Sequence, residues 1–100
     1  MTNKNNKETH SSKEDFTNEL FNELRKEKKY YLDKRKNVRN QMALTLKRRR
    51  AVYFKVSIST DVREISRLSE ALRLFDELIS TCQEMIDICD IELKRITNSV

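Results

Sequence analysis

A chain of 100 residues, 37% of them charged and with neither glycine nor proline, is bounded to one small domain. Average usage would supply about a dozen glycines and prolines in this length, and without them there are few tight turns, no proline kinks and no phosphate-cradling glycine loop, which excludes a β-sandwich, a Rossmann unit or a P-loop. Charge is segregated: residues 1–56 hold 16 basic against 7 acidic residues, a net of +9, and residues 57–100 hold 5 against 9, a net of −4.

In chain order, residues 1–12 are mostly polar and hold almost nothing to bury, which predicts a disordered N-terminal tail. Ser11 with Glu14 fits a capping box, with Ser12 and Asp15 as the alternative, so a helix is expected from about residue 13. Asp15, Glu19 and Glu23 favour its positive end, and Phe16, Leu20, Phe21 and Leu24 form its first apolar face.

From Arg25 to Arg50 the helix turns strongly basic, with 12 cations against Glu27 and Asp33. An approximate heptad persists. One seam position holds Phe21, Lys28, Arg35, Met42, Arg49 and Val56; the other holds Leu24, Tyr31, Val38, Thr45 and Val52. Lysine and arginine stems cover apolar surface while their heads reach water, so the cations weaken this seam without abolishing it. Leu32, Leu44 and Leu46 offer a rotated alternative. The candidate anion-binding residues are Arg25, Lys28, Lys29, Arg35, Lys36, Arg39, Lys47, Arg48, Arg49 and Arg50. Lys47 to Arg50 also fits a nuclear-import signal.

Val52, Phe54, Val56 and Ile58 alternate with polar or aromatic neighbours, which is a strand signal. The chain offers no second strand, so a frayed helix end and a connector over about 56–60 are expected, with pairing to a partner's strand as the alternative. Asp61 with Glu64 then caps a second helix of about residues 61–98, for which Ser59 and Thr60 are alternative caps.

That second helix is the most regular feature of the sequence. Ile65, Leu68, Leu72, Phe75, Ile79, Cys82, Ile86, Cys89, Leu93, Ile96 and Val100 fill every a and d position of a heptad, at spacings of 3 and 4 without a break. A 3.5-residue repeat holds one stripe against a partner helix. Ala71, Leu78 and Met85 at g widen the stripe, and Leu74, Ile88 and Ile91 carry apolar groups onto the back; a bundle core explains them, and a docking face for another chain is the sharper, compatible reading.

Catalysis is disfavoured by inventory: the one histidine, His10, lies in the polar tail. No catalytic, cofactor-binding or metal-binding residues are expected. Cys82 and Cys89 lie seven apart, about 10 Å along a helix, too far to be bridged. They suit small core positions in a reducing compartment. No secretory h-region or membrane-length apolar run is present, so a cytoplasmic or nuclear location is expected. A basic-leucine-zipper factor also joins a basic stretch to heptads. Here the sequence around Asn37 lacks the small residues such a helix sets against bases, and the connector interrupts the helix.

The expected architecture is all-α: two long helices in an antiparallel hairpin or coiled coil behind the tail. The expected role is a non-enzymatic structural or adaptor subunit of a multi-chain helical complex, assembling through the 65–100 seam, with other helical subunits as partners and a hetero-oligomer favoured over a homo-oligomer. The alternative role is a nucleic-acid- or anionic-surface-binding protein acting through residues 25–50.

Overall fold

With no helix-breaking residue in the chain, local propensity offers no reason to stop a helix except at the cluster Ser57-Ile58-Ser59-Thr60-Asp61. The computed structural model breaks there and nowhere else among the described residues. Helix α1 runs Thr2–Ile58 and helix α2 runs Val62–Ser99. The structure describes the backbone of residues 2–99 and the side chains of residues 13–99. The unstructured tail expected over 1–12, the caps expected at Ser11 and Ser12, and the seam position Val100 fall outside the described side chains.

Residues 59–61 join the helices. So short a link forces the second helix back along the first, giving a helical hairpin about 72 Å long and about 16 Å wide. The turn is made without glycine, and no described residue adopts a positive φ. The Ser59 amide donates to the carbonyls of Lys55 and Val56, closing α1, and Ser57 Oγ donates to the Phe54 carbonyl. Asp61 then caps α2: its Oδ1 accepts from the Arg63 amide at 2.9 Å, and its carbonyl accepts from the Ile65 amide. The other half of the expected capping box does not form. The Asp61 amide donates to Ser59 Oγ, at 3.3 Å, where Glu64 was expected to reach back.

The strand alternative for residues 51–58 is not realised; they are the last two turns of α1, and there is no strand among the described residues. A lone strand leaves its backbone groups unpaired, whereas a helix satisfies them internally. Val52 and Val56 also continue α1's heptad, and both are half-buried, while Tyr53, Phe54 and Ile58 face solvent.

Helix α1 keeps its approximate heptad against α2. Leu24, Tyr31, Val38, Thr45 and Val52 are all buried or half-buried, as are Arg35, Met42, Arg49 and Val56. The rotated alternative is not adopted: Leu32 and Leu44 remain exposed and only Leu46 is half-buried. Register is fixed by two interhelical ion pairs. Arg35 Nη1 meets Asp90 Oδ1 at 2.7 Å, and Arg49 Nε meets Asp76 Oδ1 at 2.6 Å. The pairs lie 14 residues apart on both helices, two heptads, so the seam runs between them without a slip.

The core is thin. Val38, Cys82, Ile86, Cys89 and Ile96 are the only fully buried apolar residues among those described. Val38, Cys82 and Ile86 pack as one cluster, flanked by Met42 and Met85. Buried Thr45 spends its hydroxyl on the Gln41 carbonyl one turn back, at 2.8 Å, so no buried polar side chain among the described residues is left unpaired.

Candidate functional site

The heptad seam of α2 faces its own chain. Cys82, Ile86, Cys89 and Ile96 are buried, and Ile65, Leu68, Leu72, Phe75, Ile79 and Leu93 are half-buried, all on the stripe that α1 covers. Both cysteines are free thiols in that stripe. The seam therefore closes the hairpin, and its buried middle and end are not open to a further helix.

The basic segment is left largely open. Of the candidate anion-binding residues, only Arg35 and Arg49 reach across to carboxylates. Lys28, Lys29, Lys36, Arg39, Lys47, Arg48, Arg50 and Arg25 are exposed and make no ion pair. An acidic α2 folded back on a basic α1 predicts, from charge alone, that Glu64, Glu70, Asp76, Glu77 and Glu84 lie near these cations. Of the five, Asp76 alone pairs across the hairpin, and Asp90 supplies the second bridge. Glu70 and Glu77 are held instead by Arg73 on their own helix face. That hydrogen bond from Arg73 draws the Glu70 carboxyl below its ordinary range. For Glu70, Glu77 and Glu84 the reason is angular: f positions point away from the partner helix, whereas e positions such as Asp76 and Asp90 flank the seam. A third bridge, Glu27 with Arg95, closes the opposite flank near the open end.

The two flanks of the hairpin differ. The e flank is polar on α2, where Ser69, Asp76, Gln83, Asp90 and Thr97 follow one another and the two arginine bridges cross. The g flank is apolar on α2 and mixed on α1, where Glu27, Lys34, Gln41 and Arg48 hold the g positions. On α2 it carries Ala71, Leu74, Leu78, Met85 and Ile88, because c positions lie next to g on the helix wheel. Leu74 is 52% exposed, Leu78 48% and Ile88 56%. On α1 the same flank carries Tyr30 and Leu44, the latter 48% exposed. That both helices contribute is visible where Met85 shares a surface depression with Tyr30, Lys34, Asn37 and Gln41. Tyr30 stands edge-on to Tyr31 at 5.1 Å, with the Lys34 ammonium over its ring at 5.6 Å.

Sequence periodicity reveals the α2 half of this surface, since Ala71, Leu74, Leu78, Met85 and Ile88 repeat at heptad spacing. It does not reveal that Leu44 and Tyr30 belong to the same face, which depends on how α1 is rotated in the pair. At the open end, a cleft of about 520 Å³ is lined by Phe21, Leu24, Ile96 and Thr97, with Arg25 and Lys28 among its walls. It holds no acid–base pair or nucleophile.

Among the described residues, no group of histidine, cysteine and carboxylate side chains is placed to hold a metal ion, and no helix is long and apolar enough to cross a membrane. The chain matches no family model, no curated protein and no solved structure.

Proposed function

We propose that this chain is a non-enzymatic structural subunit of a multi-chain helical assembly, docking through the g flank of the hairpin. The observation that supports this most is the pairing of a thin core with a row of exposed apolar side chains along α2, joined by Tyr30 and Leu44 of α1. Among the described side chains, those of residues 13–99, five buried apolar groups are few, and single leucines on a surface are ordinary, whereas a row of them beside the seam is the form of an unfilled bundle position. Sequence alone points to the 65–100 seam as the surface for other chains. With that seam occupied by α1, the flank beside it carries the proposal.

Co-purification tests it. Leu74→Asp with Ile88→Asp places two charges on an exposed face, so helix content in far-UV circular dichroism should hold while co-eluting chains are lost. Retention of the same co-eluting chains by the folded double variant refutes docking through this flank.

A second reading, binding to nucleic acid or an anionic membrane surface through residues 25–50, is favoured by the eight cations that fold-back leaves unpaired. If phosphates are the partner, log affinity falls linearly with log salt, steeply for many contacts. Arg48→Ala, Arg49→Ala and Arg50→Ala together should flatten that slope. Binding that is indifferent to salt removes this reading.

A further inference from the structure

The apolar flank has edges of opposite charge. On the α1 side the edge carries Lys47 and Arg48, both exposed and unpaired. On the α2 side it carries Glu70 and Glu77, which share the single guanidinium of Arg73 and so keep a net negative charge. The interhelical bridges put Arg48 level with Glu77 and Lys47 one residue beyond it, with Glu70 about 10 Å nearer the connector. The cationic pair and Glu77 thus stand at one height on opposite edges of one face.

We infer that this face binds a second copy of the same chain, the two hairpins stacking flank to flank into a four-helix bundle with α2 of each copy lying on α1 of the other. This rests on the docking flank proposed above and names its occupant. A two-fold axis parallel to the helices keeps these heights and carries Lys47 and Arg48 of one copy onto Glu77 of the other, and does so twice. The other two-fold, which stacks α1 on α1, sets cations on cations and is disfavoured. The size is adequate as well. From Tyr30 to Ile58 the face runs about 40 Å, and across the 16 Å width of the hairpin this projects to roughly 650 Å² per copy, near the ~800 Å² of a stable interface. Side-chain relief raises the buried area above that projection. A homodimer departs from the hetero-oligomer that the sequence favours, because the complementarity of the two edges appears only when both helices are in place.

The test is made on the full chain in solution, by light scattering or sedimentation equilibrium. A dimer has twice the 12.0 kDa chain mass. Lys47→Glu with Arg48→Glu should give a monomer, and Glu70→Lys with Glu77→Lys should give a monomer. An equimolar mixture of the two variants should recover the dimer mass, because their edges are again complementary. Leu78→Glu with Ile88→Glu should give a monomer of unchanged helix content that the mixing experiment does not rescue. A parent chain that stays monomeric overturns the second copy. So does a dimer that survives both charge reversals, or complementary variants that fail to recombine. If the parent is monomeric yet captures a different chain through the Leu74 and Ile88 face, the docking flank stands and only its occupant is overturned.

Discussion

Ile96 and Thr45 show how little separates a useful seam residue from an awkward one. Both are buried on the hairpin's inner stripe. Ile96 fills its position with branched hydrocarbon near the open end, where few other buried groups support it. Ile96→Ala should cost about 2–5 kcal/mol, read as a fall in the denaturation midpoint at constant m. Thr45 meets the same apolar surroundings with a hydroxyl that turns back on the Gln41 carbonyl. That bond offsets the burial of the hydroxyl without adding a contact between helices, and such back-bonding slightly weakens a helix. Thr45→Val should therefore leave stability unchanged or raise it by up to about 1 kcal/mol. A loss beyond that would mean that the hydroxyl has a role in the pair. Arg35 and Arg49, at a positions of α1, solve the same problem differently: their stems cover the stripe and their heads reach Asp90 and Asp76 at its edge.

At the scale of the elements, the whole topology turns on three residues. Ser59, Thr60 and Asp61 are short polar side chains that compete with the backbone for hydrogen bonds, which is why a helix without glycine or proline ends here. Asp61 does most of this, ending the connector and capping α2 through the Arg63 amide. Asp61→Ala should cost about 1 kcal/mol of hairpin stability, measured by chemical denaturation. Asp61→Asn should retain most of it, since the amide oxygen caps as well. Equal losses in both would assign the effect to charge near the α2 N-terminus and not to the cap. Glu64 remains in that first turn and favours the positive helix end without completing a capping box.

For the whole molecule, seam and flank should respond differently to the same chemical insult. Ile86→Asp buries an unpaired carboxylate against Val38 and Cys82. The penalty is several kcal/mol, a large share of the stability of so thin a core, and helix content should fall. Leu78→Asp places its charge on a half-exposed flank, so the fold should persist while association is lost. If both variants unfold alike, the flank is part of the core and the docking proposal fails with it. The exposed bridges do not alter this balance, since each such ion pair is worth about 1 kcal/mol or less.

Two helices, the break between them and the α2 seam are legible in the sequence because they follow from local rules. A 3.5-residue apolar repeat, missing helix breakers and an Asp beside two hydroxyl residues act within a few turns of chain. The α1 seam is legible only in outline, because half of one position is cationic and no pattern rule says whether Arg35 and Arg49 pack or point away. The alternation at Val52 to Ile58 suggests a strand because period 2 and period 3.5 share several positions in so short a run. Only the pairing of the helices decided it, by giving Val52 and Val56 a seam to join. Pairing likewise decided which carboxylates meet the basic segment. The angular position of e against f around α2 selects Asp76 and Asp90 and turns Glu70 and Glu77 away, and composition holds no such angle. The apolar flank is the clearest division. Its α2 half is written in the spacing of Leu74, Leu78, Met85 and Ile88. Its union with Tyr30 and Leu44 exists only once α1 is rotated against α2, because a face shared by two helices is a property of their packing and of neither segment alone.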